Sequence, residues 1–599
     1  MRWSRALSLQ SIKDDGGLET VIFEDKHSIE NLPFHVFYNF VGERTRTLIL
    51  QDISEIMFYN LQFLNMPNLK TLIIRQRLSN KLQTLEYIQN LKVENLILDD
   101  FPEVESLEPL QNMRPESLTL TNFPKVKSLE PLRNMHPKLL NFYYFPEVES
   151  LEPLRDMRPK SLYLNYFPNV SSLEPLRDMR PKSLYLNYFP NVSSLEPLKD
   201  MRPEDLNFYD FLKVESLEHL QDMRPKLLNL QRIKKISCFS PLKYMSPKSL
   251  NLNDFPFINS LEHLQDMRPE NLTLENFTLV NSLSSLSMME PKILILTNFP
   301  KVECLSHIMG MRPESLRLRN FPLINHLEYI LGMRPRILHL NKFPNVSSLG
   351  PLREMSPKSL DLYDFPKVDC LKPLRGMCPK SLTLYDFPKV DCLEHIRKMR
   401  PGILTLSIFP LINSFEPLRE MHPEDLYLSH FPKVESLEPL KDMRPESLTL
   451  SHFPKVESLE PLKDMRPESL YLHVFPNVSS FGPLREMSPK SLDLYDFPKV
   501  SSFGPLRKMR PKSLTLSHFP NVEFFGPLRE MRPKQLRLSY FLKVESFEPL
   551  KDMSPESLTL ICFMSVKTLE PLRKMRPMKH FIRAIPYVNI PAFLQEYFS

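Results

Sequence analysis

The strongest constraint in the sequence is a period. Residues 159–180 read PKSLYLNYFPNVSSLEPLRDMR, and residues 181–202 repeat them with a single change, Arg177 becoming Lys199. Counting from the first proline, Pro159 is position 1 of the unit and Phe167 is position 9. Phenylalanine recurs every 22 residues from Phe101 to Phe563, and of those 22 sites only Ile233 departs. Position 21 is methionine in every unit from Met113 to Met575, and the proline two residues later is as regular, from Pro115 to Pro577. A chain of 599 residues is too long for one hydrophobic core. A short fixed period answers this by stacking copies, each burying its apolar face against the next.

Composition carries the mark of copying. The chain has 59 Pro but only 11 Gly, and its three alanines are Ala6, Ala584 and Ala592. Selection on an ordinary core would not empty residues 7–583 of alanine, whereas duplication of a unit that lacks it would. Scarce glycine also weighs against phosphate-cradling loops, which need close backbone approach and positive φ.

Within a unit the apolar positions are 4, 6, 9, 12, 15, 18 and 21: Leu162, Leu164, Phe167, Val170, Leu173, Leu176 and Met179. Alternation at 4 and 6 predicts a short strand with one buried face. The later spacing of three predicts a 3₁₀ or short helical turn, in which residues i and i+3 eclipse. Pro175 suits the first turn of that segment, where a missing N–H costs little. Pro168 and Pro181 punctuate the chain between segments. The expected divisions are a capping region over 1–44, two looser 24-residue units over 45–92 (Leu48/Leu50 and Leu72/Ile74), twenty-two regular units over 93–576, and a degenerate capping unit over 577–599.

The unit core PxxLxLxxF, as in PKSLYLNYF, resembles the LxxLxLxxN core of the leucine-rich-repeat family in its short, 22-residue form, over residues 45 to 599. Two departures stand out. Proline occupies the place of the first leucine, and phenylalanine that of the asparagine ladder. The resemblance implies an α/β repeat fold, a right-handed solenoid in a horseshoe or arc. Its parallel sheet would be concave and its convex side built of short 3₁₀ or helical segments. The phenylalanines are expected to stack into an apolar spine. At ~4.8 Å per strand the sheet would run on the order of 100 Å. The family serves mainly as a protein-recognition scaffold, so the implied role is a non-catalytic scaffold binding a protein partner of unidentified kind along that concave face.

Positions 5 and 7 point outward from the strand, and position 8 lies at its exit. These vary while the framework holds. One stretch of this strip carries Tyr143, Tyr144, Tyr163, Asn165, Tyr166, Tyr185, Asn187, Tyr188 and Tyr209. Tyrosine with asparagine offers rigid area and a polar tip, as recognition surfaces do; the bland alternative is cross-strand pairing multiplied by duplication. Arg317, Arg319, His339 and Lys342 form a basic segment, Asp361, Asp364, Asp386, Asp493 and Asp496 acidic ones, and His430, His452, His473 and His518 a histidine-bearing stretch. Arginine fills position 22 in 14 units and is read as a solvated mixed-charge edge. Four cysteines (Cys238, Cys304, Cys370 and Cys392) stand at position 14, usually serine, as small half-buried fillers; Cys370 and Cys392, in adjacent units, are candidates for a bridge.

Charge and motifs narrow the classes further. A balance of 77 Lys+Arg against 71 Asp+Glu, +6 overall, is too weak for a dedicated nucleic-acid binder. No apolar stretch reaches membrane-spanning length. The motifs GxGxxG, GxxxxGK[ST], HExxH and GxSxG are absent, so neither catalysis, a metal, a cofactor nor a small-molecule substrate is expected. The opening residues have no signal-peptide apolar run, and the six cysteines form no CxxC pair, which together favour a cytoplasmic setting. Two alternatives stand beside the scaffold. LPFHVFYNF at 32–40 is similar in a few residues to the opening of an F-box, which implies a substrate adaptor for ubiquitin ligation. Six Asn-x-Ser/Thr sequons, four of them the inherited NVS, fit a surface or secreted variable repeat of a parasite.

Overall fold

A computed structural model describes residues 19–24, 41, 43–63, 66–76, 82–575 and 579–583. The chain divides into two compact units, Met1–Lys301 and Val302–Ser599. Among the described residues the first carries thirteen strands, β1 (Thr20–Glu24) to β13 (Ile293–Thr297), and the second thirteen, β14 (Ser315–Arg319) to β26 (Lys579–Arg583). Within each unit every strand pairs in parallel with its sequence neighbour, the sheet is open, and most of the described links are short 3₁₀ turns. This is the fold of a repeat solenoid.

The period sets the register. In β7 (Ser161–Asn165) and β8 (Ser183–Asn187), Leu162 lies opposite Leu184 and Tyr163 opposite Tyr185. Strand β1, which the period does not reach, adds a rung before the first expected one, with Thr20 opposite Thr47. The first looser repeat adds a helix before its 3₁₀ turn (Leu61–Phe63), α1 (Glu55–Asn60), whose amide at Met57 donates to Ser54 Oγ at 3.3 Å. The capping stretches lie largely outside the described residues, and so does the 32–40 segment.

Each regular repeat buries its seven apolar positions, and in the 159–180 repeat Leu162, Leu164, Phe167, Val170, Leu173, Leu176 and Met179 are at 0% exposure. The phenylalanines form the expected spine. Successive rings from Phe101 to Phe211 lie 5.4–5.7 Å apart and within 16° of parallel. Where Ile233 interrupts it, Phe239 at position 15 of the same repeat sets its edge against Phe255 (5.0 Å) and Phe277 (6.1 Å).

Backbone groups are satisfied without the asparagine ladder. The position-8 amide donates to the position-7 carbonyl of the next repeat, as Tyr166 N does to Asn187 O at 2.9 Å, and Phe167 N donates to Tyr188 O at 3.2 Å. One carbonyl, Lys160 O, accepts from both Lys182 N (2.7 Å) and Ser183 N (3.2 Å). Pro175 sits in the first turn of the 3₁₀ segment Glu174–Leu176, as its missing N–H allows. Ser172 Oγ caps that turn by accepting from Glu174 N at 3.1 Å. Cysteine at position 14 does the same through sulfur, as Cys392 Sγ does for Glu394 N at 3.3 Å.

The strand exit is left-handed without glycine. All 22 regular units have positive φ at position 8, from Asp100 (71°) to Cys562 (57°), and none uses glycine there. This left-handed residue turns the chain so that the next side chain, phenylalanine, points inward. Asn, Asp and His tolerate the conformation best, and thirteen of the 22 positions carry one of them.

Repeats are wedges. In the second unit, stacked rings at position 8 lie 3.8 Å (His430–His452) and 4.2 Å (His518–Tyr540) apart, while spine rings lie 5.5–6.0 Å apart. At position 15 the spacing reaches 6.5 Å (Phe481–Phe503) and 6.4 Å (Phe525–Phe547). The first unit shows the same trend, 4.5 Å at Tyr166–Tyr188 against 5.6 Å at Phe167–Phe189. Within each unit the strands therefore take the inner side. Cys370 and Cys392 are free thiols. Translation-related side chains keep their Cβ atoms as far apart as their repeats, whereas a disulfide needs Cβ atoms ~3.8 Å apart.

Candidate protein-binding surface

The strand face gathers the variable positions into columns. In the first unit, Tyr144, Tyr166 and Tyr188 stack at position 8 with 4.5 Å between rings, and Tyr163 stacks on Tyr185 at 4.6 Å on position 5. Asn165 and Asn187 lie half-buried between the two columns, and Tyr143 is exposed at one side. Because ring faces are used on each other, the columns present edges and hydroxyls outward. Burial, then the Asp205 carboxylate, raises the Tyr185 phenol above its usual range.

Tyr209 belongs to a charged knot that sequence reasoning missed. Arg232 Nη1 donates to its hydroxyl at 2.8 Å and sits 3.1 Å from Asp210 Oδ2, while its Nε is 3.8 Å from Asp254. Burial raises the Asp210 carboxyl, with Arg232 opposing. Asp210, Arg232 and Asp254 all occupy position 8, so this knot continues the tyrosine column. The signal was the charge alternation at one repeat position.

In the second unit the basic residues come together on adjacent strands: Arg317 and Arg319 on β14, His339 on β15 (Ile337–Asn341) and Lys342 just beyond it. His339 Nδ1 lies 3.8 Å from Asp361 Oδ2. Further on, serines at position 7 are buried and hold the next histidine. Ser429 Oγ meets His430 Nδ1 at 2.7 Å, Ser451 Oγ meets His452 Nδ1 at 2.7 Å, and Ser517 Oγ meets His518 Nδ1 at 2.9 Å. His473 stands apart, its Nε2 3.4 Å from Asp493 Oδ1. Among the described residues no three His, Cys, Asp or Glu side chains group as metal ligands, and no helix is long and apolar enough to cross a membrane.

Burial first, then the neighbouring His430 and His473, lowers the His452 pKa. A lowered histidine takes up its proton less readily folded than unfolded, so acid favours the unfolded chain. The contribution is nil above the unfolded value of ~6.5 and grows as pH falls below it. Urea midpoints at pH 7.5 and 5.5 should therefore differ more for the wild type than for His452→Asn; equal differences would remove His452 as the cause.

Away from the strands, side chains on the turns support the backbone. Seven of the position-22 arginines fold back as caps, as Arg180 Nη1 donates to Arg177 O (2.9 Å) and Met179 O (2.8 Å). The one difference between the twin repeats matters here. Arg177 bonds Glu174 and also bridges to Glu196, whereas Lys199 reaches only Glu196. Arg177 and then Lys199 bring the Glu196 carboxyl down to about 2. The NVS asparagines work as ladder residues, Asn169 and Asn191 donating to Pro146 O (2.8 Å) and Pro168 O (2.7 Å). Asn521, in no sequon, makes the same bond to Pro498 O at 2.8 Å, so backbone support accounts for the residue.

No protein-family model matches the chain, and no curated protein matches it.

Proposed function

We propose that the chain is a non-catalytic scaffold of leucine-rich-repeat type that binds protein along the strand face, in a reducing, cytoplasmic compartment. The observation that supports this is the pair of tyrosine columns: aromatic, half-buried, on the inner side of the wedge, at the repeat positions left free by packing. Free cysteines, four of them engaged as turn caps, accord with the compartment.

The test is the triple variant Tyr163→Ser, Tyr185→Ser, Tyr188→Ser. Each lost ring pair costs at most ~1 kcal/mol, so the thermal transition should survive. Quantitative affinity capture from the source cell should show one or more partners lost relative to wild type. Unfolding of the first unit with no change in captured proteins would make the columns purely structural.

A further inference from the structure

The strand face of the second unit changes sign over four neighbouring strands. Arg317, Arg319 and Lys342 lie on or beside β14 and β15; Asp364 and Asp386 follow β16 (Ser359–Tyr363) and β17 (Ser381–Tyr385). None of these five forms an ion pair among the described residues. Elsewhere in the unit some surface charges do pair, as Lys490 with Glu468 at 2.6 Å, Lys534 with Glu556 at 2.8 Å and Arg419 with Glu416 at 2.6 Å. Lys342 and Asp364 share position 8 of adjacent repeats and still do not meet within ion-pair distance. Within the acidic half Tyr363 and Tyr385, which precede Asp364 and Asp386, pack at 5.7 Å, and Tyr385 is exposed. Burial, then the Asp364 carboxylate, raises the Asp386 carboxyl.

We propose that this bipolar strip docks an extended protein segment bearing an acidic cluster and a basic cluster, which lies across the strands with its acids on Arg317 and Arg319 and its bases on Asp364 and Asp386. Three strand steps of ~4.8 Å span about 14 Å, and an extended chain covers that in about four residues. The strip's position on the inner side of the wedge suits a single extended chain. Surface complementarity of this kind sets orientation and excludes partners of uniform charge. The inference rests on the strand face being a protein-binding surface.

The probe is a dye-labelled peptide with three Glu, a four-residue Gly-Ser spacer and three Lys, titrated by fluorescence anisotropy into the full chain. Peptides with all Glu or all Lys serve as comparators. The bipolar peptide should bind at least about tenfold tighter than either, and Arg317→Glu/Arg319→Glu or Asp364→Lys/Asp386→Lys should each cost at least about tenfold. Combining all four changes inverts the strip, and binding should return because the peptide can reverse. Lys342 and Arg232 already occupy position 8 with φ of 59° and 55°, so lysine fits there. Equal binding of the all-Glu peptide would overturn the proposal in favour of an anion site. Loss without recovery in the inverted protein would overturn it too. If the charge variants leave peptide binding untouched while the tyrosine variant still loses its partner, the strip assignment falls and the scaffold reading stands.

Discussion

Phe189→Ala should cost about 3–5 kcal/mol, the range for truncating a fully buried aromatic ring. Phe189 is at 0% exposure, 5.6 Å from Phe167 at 11° and 5.7 Å from Phe211 at 16°. The cost combines lost transfer energy, a cavity in a rigid stack, and two ring contacts of roughly 0.5–1.5 kcal/mol each. Stability in a stacked array is shared between nearest neighbours, so the damage should concentrate in the adjoining repeats. Amide exchange should accelerate first in β7, β8 and the next strand, Asp205–Tyr209, and least in remote strands. The Ile233–Phe239 repeat shows a tolerated alternative. Phe189→Ile with Leu195→Phe should therefore recover much of the loss. Uniform exchange along the array, or a cost below about 1 kcal/mol, would mean the spine is not what ties the repeats together.

The second large effect has opposite signs at two adjacent repeats. Val474 has φ of 59°, and Asp496 has the same value. A left-handed backbone costs an ordinary L-residue about 1–2 kcal/mol, with β-branched side chains worst and Asn or Asp best. Val474→Asn should raise stability by about 1 kcal/mol and Asp496→Val lower it by a similar amount. Both substitutions keep the amide that bonds the next strand, Val474 N to Tyr495 O at 2.8 Å and Asp496 N to Ser517 O at 2.9 Å. Chemical denaturation of the two variants side by side measures this. Loss of stability in both would show that side-chain packing, rather than backbone strain, governs position 8.

Much of the local plan was legible. Leucine at positions 4 and 6, proline at 17 and phenylalanine at 9 each carry one local instruction, and the strand, the 3₁₀ turn and the stacked spine follow. The left-handed exit was not read from the sequence, although Asn, Asp and His crowd position 8. Neither was strand β1, because its spacing from the second strand falls outside the period.

The candidate surface was readable only as a set of residues. Outward-facing Tyr163, Tyr185 and Tyr188 follow from alternation, but whether a ring stacks on its neighbour or stands free depends on the 4.5 Å step between repeats. Likewise Arg232 and Lys342 read alike, yet one is tied to Asp210 and Tyr209 while the other has no ion pair among the described residues.

By itself the sequence determined the repeat, its register and its buried positions, because a 22-residue copy imposes the same local preferences and the same apolar face on every rung. Only the tertiary structure decided the wedge, the capping duty of the position-22 arginines, the ladder role of the NVS asparagines, and which charges stay unpaired. The wedge and the ladder bonds depend on distances between rungs, set by how rungs stack rather than by anything one rung contains; the arginine caps close within a rung, on a turn whose path only the folded backbone defines.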